Sequence, residues 1–393
     1  MARNFEILLV STRLGLTSFG GPIAHLGYFR EEYVTRRKWL RDDEYADLVA
    51  LCQFLPGPAS SQVGISVGLT RAGFLGGFLA WLGFTMPSAI AMIAFAYGVS
   101  AAGGVSDAAW LHGLKIVAVA VVALAVWGMA GTLCPDRARR ILAILAAIAM
   151  LAVPSALSQI GVIAAGGVLG WLLLRPGESA EISASRRTWG RPLAIASLVL
   201  FAALLVGLPL ARPYIANQSF DLFDSMYRAG SLVFGGGHVV LPLLRQEVVT
   251  TGWISQESFV AGYGFAQAVP GPLFTFSAYL GASIETLPAR WMGGLLALGA
   301  IYLPSFLLVT GTLPFWDRLR RHMPSRRAIM GINAAVVGLL VAALYDPIWT
   351  SAIHAPKDLA LGLAAFALLA FWKVPPWIVV ALAAAGGWAI AAS

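Results

Sequence analysis

One set of helix-breaking residues occurs twice in this chain. Phe19-Gly20-Gly21-Pro22 is followed by His25, Arg30, Glu32 and Trp39, then by Gln53-Phe54-Leu55-Pro56-Gly57-Pro58 and by Pro87-Ser88. The same order returns as Phe234-Gly235-Gly236-Gly237-His238, Arg245, Glu247, Trp253, Gln267-Ala268-Val269-Pro270-Gly271-Pro272 and Pro304-Ser305, displaced by 213 to 217 residues throughout. So steady a displacement across Gly, Pro, Trp and charged positions marks an internal duplication. In each Pro-Gly-Pro the first proline lacks a backbone donor and the second disfavours helical geometry at the glycine before it, so a helix must break there. Breaks set in apolar sequence at matching places of two halves are the pattern of a membrane transporter whose site lies where the repeats meet.

Composition supports the membrane. Of 393 residues 59% are hydrophobic and 12% charged, and the mean hydropathy is +0.77. Soluble domains carry about 25% charge, so this chain is too poor in polar residues to cover a water-exposed surface. The net charge of +8 lies in short Arg/Lys clusters between apolar runs, which is how positive-inside loops look and excludes a nucleic-acid-binding groove. Cys52 and Cys134 offer neither a disulfide framework nor metal-ligand spacing, and no cofactor or metal site is expected. The apolar stretch 5–10 is short and is followed by Arg13, so no cleavable leader is expected.

The fold expected is an all-α polytopic membrane protein with two inverted-topology repeats of broken or re-entrant helices, joined by one extra transmembrane helix. Residues 1–175 form the first repeat, 176–219 a linker with one transmembrane helix, and 220–393 the second, inverted repeat. Within the first, 4–19 is too short to cross a hydrocarbon core that needs about 20 residues, and 44–70 reads as a re-entrant hairpin. Spans follow at 74–99 and 110–133, then two short ones within 141–174 divided at Pro154. The linker holds the span 193–211, after which 220–234, the hairpin 255–283, spans 291–313 and 328–345, and a final pair divided at Pro375-Pro376 repeat the order.

Charge sets the relative orientation. The first half is basic at 36–41, 137–140 and 175–191 and empty at 100–109. In the second half the counterpart of that empty loop carries Arg318, Arg320, Arg321, Arg326 and Arg327, and the counterpart of 36–41 has no basic residue. Loops basic in one copy are neutral in the other, so the copies face opposite ways.

The candidate site residues lie beside the breaks. A restarting helix presents free N–H groups with a partial positive charge, which suits an oxyanion. The restarts fall near Gly20-Gly21 and Gly235-Gly236 and after Gly57 and Gly271, where Ser60, Ser61, Thr275 and Ser277 supply hydroxyls. Donors with little carboxylate beside them favour an anion over a cation. Arg30 and Arg245 read as anion attractors and Glu32 and Glu247 as proton-coupling residues, or all four as structural ion pairs. His25 and His238 read as proton acceptors or as capping and packing residues. Gln53 and Gln267 would hydrogen-bond a substrate or tie the hairpin. Lys115 and Asn333 hold matching places in a span, where a lysine is costly.

These motifs resemble the chromate ion transporter family in its two-domain, long-chain form, over nearly the whole chain. The resemblance implies a multi-pass protein of the bacterial inner membrane that exports chromate and confers chromate resistance, with sulfate as the related oxyanion and the proton-motive force as the drive. Its partners would be the small oxyanion, protons and the lipid bilayer, with a homodimer left open. Pro22 stands where the second copy has Gly237, so the two sites need not be equivalent. A membrane-embedded enzyme is disfavoured because the spans lack His/Asp/Glu clusters. An anion channel differs from a transporter in passing current without saturable exchange.

Overall fold

In the computed structural model of the protein the described residues are 2–18, 21–101, 109–153, 155–175, 190–233, 240–287, 289–316 and 323–391. They form helices and no strand. The expected restarts at Gly20 and at Gly235, Gly236 and His238 lie outside the described residues, as does most of the 318–327 cluster.

The first copy opens with short helices packed against the long helix Ala59–Ala101. Helix α1 (Ala2–Thr17) has 16 residues, about 24 Å at 1.5 Å per residue, short of a hydrocarbon core of about 30 Å. Helix α2 (Gly21–Arg30) continues into a π-helical turn, Glu31–Arg36. Helix α3 (Asp42–Phe54) then enters, breaks at Pro56-Gly57-Pro58, and leaves as the first arm of α4 (Ala59–Ala101). Helix α4 is two antiparallel arms: Ala72 and Gly73 have non-helical backbone angles, with Gly73 at φ 68°. The arms meet where Gly68 faces Gly76, so closely that a Cβ on either would overlap the other's carbonyl. The second arm carries Pro87 and is a true span.

Span α5 (Ala109–Leu133) follows, then the pair α6 (Arg137–Ala152) and α7 (Ala156–Leu173). Asp136 and Ser155 cap these two by accepting the backbone N–H three residues on. Helix α8 (Arg191–Ala211) is the odd span: its apolar window is only 11% buried, as befits a helix bathed in lipid.

The second copy repeats the order with α9 (Gln218–Leu232), α10 (Val240–Val248), α11 (Gln256–Ala266), α12 (Phe276–Ser283), α13 (Arg290–Thr312), α14 (Met323–Ala343), α15 (Pro356–Ala370) and α16 (Pro376–Ala391). Among the described residues five helices are long and apolar enough to cross a membrane, and they contain the spans read at 74–99, 110–133, 193–211, 291–313 and 328–345; the short spans read within 141–174 and after 358 are helices of 15 to 18 residues, below that length and apolarity.

The two sequence halves interlock. Span α5 of the first copy packs on α15 and α16 of the second, and α14 of the second packs on α6 and α7 of the first. Small residues allow this: a Cβ on Gly113 would overlap the carbonyl of Ala383, and one on Gly331 that of Gly166. Each copy's last helix pair therefore embraces the other copy's span, the reciprocity of a two-fold relation. Large apolar side chains such as Trp127, Leu173 and Trp388 project outward, onto what a bilayer covers.

Candidate functional site

The two Pro-Gly-Pro breaks are fastened crosswise. Gly57 N–H donates to the carbonyl of Val233 at 2.6 Å, and Gly271 N–H donates to the carbonyl of Ser18 at 2.9 Å. Val233 and Ser18 directly follow α9 and α1, so each copy's hairpin break is tied to the end of the other copy's first helix. Gly57 has φ 118° and Gly271 φ 105°, angles that L side chains rarely adopt. A Cβ on Gly57 would lie 2.8 Å from Ser305 Oγ, and one on Gly271 2.8 Å from Ser88 Oγ. Ser88 and Ser305 are themselves repeat partners, each following the proline inside a span.

Around this crossing lies a group of buried polar atoms without hydrogen-bond partners: Ser18 Oγ, His25 Nε2, Ser61 Oγ, Gln62 Oε1, Thr85 Oγ1 and Tyr302 Oη. The hydroxyls of Ser61 and Thr85 neighbour that of Tyr302, yet none is in hydrogen-bonding geometry. All six residues are buried. Buried polar groups are normally paired, because leaving one unmade costs about 1–3 kcal/mol. Ser61 belongs to the first turn of α4, whose N–H groups have no acceptor within the helix. Gln62 Nε2 donates to the Pro56 carbonyl at 2.7 Å and reaches Ser305 Oγ at 3.4 Å, bridging the copies. Hydroxyls, an imidazole and helix-start amides converge here with no carboxylate among them.

The structure sorts the sequence candidates. His25, Gly57, Ser60 and Gly271 border the crossing, and Gly21 opens α2 at φ 79°; His25 Nδ1 meets Ser60 Oγ at 3.4 Å and its ring stands edge-on to Phe84. Thr275 sits at the second break, but its hydroxyl donates to the Pro272 carbonyl at 2.8 Å, so its proton is committed. Gln267 keeps a buried, unpartnered Nε2, whereas Gln53 is exposed.

Arg30 lies away from the crossing, in an exposed ion pair with Asp42 at 2.8 Å. Arg245 makes the matching contact to Gln256 at 3.1 Å and a longer one to Asp346 at 3.4 Å. It lines a cavity of about 130 Å³ with Gln159, Gln246 and Tyr345. Glu32 is buried and bonded to Arg37 at 2.6 Å, with Arg36 at 3.4 Å. Burial pushes its carboxyl up, but Arg37's hydrogen bond and the charges of Arg37, Arg36 and Arg13 outweigh that and hold it below the usual carboxylate range. Glu247 is gripped by Arg228 at 2.6 Å and by Ser225 at 2.7 Å, beside the fully buried Asp224. Both glutamates are thus members of ion-pair networks.

Thr85, Tyr302 and Gln62 escaped the sequence reading. Thr85 and Tyr302 are repeat partners, each two residues before the proline of its span and displaced by the same 217 residues as Pro87 and Pro304. The offset was a usable signal; the unlike side chains concealed it.

These features define a helical membrane protein of inverted duplicate architecture, whose broken helices meet at a shared, donor-rich centre. The model of the chromate transporter family matches residues 5–171 and 220–388, one match per copy. A chromate transport protein of Pseudomonas aeruginosa is 30% identical over 96% of this chain and 90% of its own length, and one of Cupriavidus metallidurans is 25% identical over 96% and 91%. The uncharacterized transporter YwrA of Bacillus subtilis is 29% identical over 43% of this chain and 96% of itself, the length of a single copy. No solved structure matches. The chain belongs to the chromate transporter family.

Proposed function

We propose that this protein carries the tetrahedral oxyanion chromate across the plasma membrane of a bacterial cell, outward, and that the anion is held at the crossing of the two breaks. The observation that carries the reading is the set of buried, unpartnered hydroxyls of Ser18, Ser61, Thr85 and Tyr302, with the His25 imidazole, at the two-fold junction; Gln62 Oε1, which can only accept, is not part of it. A dianion accepts from these donors, and each hydrogen bond to a charged group contributes about 1.5–3 kcal/mol. The helix starts add about 0.3–1 kcal/mol each, up to about 2 when partly buried. Sulfate is a tetrahedral dianion of similar size and competes for the same donors; nitrate and chloride do so poorly.

The membrane potential supports outward movement. One elementary charge crossing 100 mV is worth about 2.3 kcal/mol, so a dianion leaving a cell with a negative interior gains about 4.6 kcal/mol. That alone sustains a gradient of roughly 2,000-fold. The electrical part of the proton-motive force therefore suffices as the drive, without a carboxylate that loads and unloads a proton.

The test is saturable uptake of radiolabelled chromate, with sulfate as competitor, into proteoliposomes at a potential set by potassium and valinomycin. Tyr302→Phe, Thr85→Val and Ser61→Ala should each raise the KM for chromate about 10- to 150-fold, the equivalent of one charge-assisted hydrogen bond, with protein content unchanged. Wild-type kinetics in all three would remove the crossing as the site. Non-saturating current would replace the transporter with a channel.

A further inference from the structure

On the side opposite the main basic clusters, three metal-ligating side chains come together from the two copies. His112 stands in the first turn of α5, His354 in the loop before α15, and Asp358 in the first turn of α15. One ligand atom from each lies within 4.8 Å of the other two. His112 Nε2 and Asp358 Oδ1 are 2.8 Å apart, and the two imidazoles stack with centroids 5.9 Å apart and planes at 15°. Asp358 is buried, and its other oxygen accepts the backbone N–H groups of His354 at 2.9 Å and Ala355 at 3.0 Å. That grip fixes the carboxylate and aims its free oxygen at the imidazoles, the outer-shell support that protein metal sites use.

We propose that His112, His354 and Asp358 form a site for a divalent transition-metal ion of the zinc, cobalt or nickel type, bridging the two copies. Two imidazoles and one carboxylate suit a borderline ion and leave a fourth position for water. Ligand atoms about 2.1 Å from a tetrahedral ion stand roughly 3.4 Å from one another. The His112–Asp358 pair has only to open by a fraction of an ångström, and the His354 ring to turn inward from an exposed loop. The charged groups beside the cluster are Lys115, deeper along α5, Lys357, next to Asp358 in the chain, and Glu257 in the first turn of α11; Lys115 lies within electrostatic reach of both Glu257 and Asp358. The two carboxylates balance the two ammonium groups, so the site carries no net positive charge before an ion enters. The surrounding loop 346–358 carries a single basic residue, Lys357, so its field does not repel a cation as the clusters at 36–41 and 137–140 would. The site is independent of the anion reading.

The experiment uses the full chain, freed of any affinity tag and dialysed against chelator, with Zn²⁺ binding followed calorimetrically and Co²⁺ by its visible absorption. One equivalent should bind, and Co²⁺ should show the intense bands of a four- or five-coordinate N/O site. His112→Gln and Asp358→Asn should weaken binding at least 30-fold. His354→Gln is the decisive variant: the cap needs only its backbone N–H, which glutamine supplies, so folding is kept while one ligand is lost. Binding unchanged by His354→Gln, or no equivalent bound at 100 μM Zn²⁺, overturns the site and leaves a hydrogen bond between α5 and α15.

Discussion

Replacing Gly57 by alanine tests the crossing at its narrowest point. Three effects add. The backbone is held at φ 118°, which a residue with a Cβ tolerates at a cost of about 1–3 kcal/mol. The new Cβ would fall 2.6 Å from Gln62 Nε2 and 2.8 Å from Ser305 Oγ, so Gln62 must leave the Pro56 carbonyl it now bonds at 2.7 Å. A typical hydrogen bond contributes about 0.5–1.5 kcal/mol, and the Gly57 N–H bond to Val233 is strained by the same shift. The sum is about 2–5 kcal/mol against the assembled crossing, which lowers its population roughly 30- to several-thousand-fold. Chromate flux into proteoliposomes, normalised to reconstituted protein, should fall below a tenth of wild type in Gly57→Ala and in Gly271→Ala. The control is Ser60→Ala: its contact to His25 is 3.4 Å long, so flux should stay within about threefold. If either glycine variant kept more than half of wild-type flux, the crossing would not be the transport site.

Further outcomes follow from the charged residues. Arg30→Gln should leave flux near wild type, because Arg30 sits in an exposed pair, whereas Arg245→Gln should lower it by removing the charge from the cavity beside Gln159 and Asp346; equal loss in both would contradict this placement. Glu32's carboxyl is held below its ordinary range, so its ion pairs contribute stability above that range and lose it as pH falls through the lowered value. Flux and the thermal midpoint should therefore show no transition from Glu32 between pH 5 and 8, and a step that vanishes in Glu32→Gln would refute it. Arg228→Gln should cost up to about 3–5 kcal/mol, since Glu247 loses its ion-pair partner and the buried Asp224 keeps only a 3.5 Å contact to Arg212. A thermal midpoint unchanged to within a degree would sink that. Single cysteines at 36–41 and 323–327, in a Cys52→Ser/Cys134→Ser background, should both label from the cytoplasm; outside labelling of the second cluster would break the inverted arrangement.

What the sequence showed and hid divides along physical lines. Pro-Gly-Pro and the odd span α8 were legible because a missing donor, a fixed φ and a run of about 20 apolar residues act locally, whatever surrounds them. The crosswise bonds of Gly57 to Val233 and Gly271 to Ser18 follow from the duplication only once the copies are in contact. Arg30 and Arg245 looked like anion attractors because they recur, but a recurring charge recurs equally well when its partner does: Asp42 and Gln256 are displaced by 214 residues. Thr85 and Tyr302 were missed for the opposite reason, sharing a place without sharing chemistry. His112 and His354 stand 242 residues apart and belong to unlike places in the two copies, so neither motif spacing nor the repeat could pair them.

Unlike residues at matching places carry a consequence for transport. A strict two-fold site would hold the anion identically whichever side it opened to. Here Thr85 faces Tyr302, Ser60 corresponds to Phe274, and Ser61 keeps a free hydroxyl where Thr275 has committed its own. The first copy offers more donors and the second a bulkier, more apolar wall. On the proposed reading, an anion released past the second copy would leave fewer hydrogen bonds behind than one released past the first. Donors weighted to one copy would then make the two exits unequal, while a potential of 100 mV, worth about 4.6 kcal/mol per dianion, would bias movement outward. Exchanging the two side chains, Thr85→Tyr with Tyr302→Thr, should therefore alter the ratio of the KM values measured from the two faces of oriented vesicles. An unchanged ratio, in protein that still transports, would show that asymmetry at the crossing does not set release.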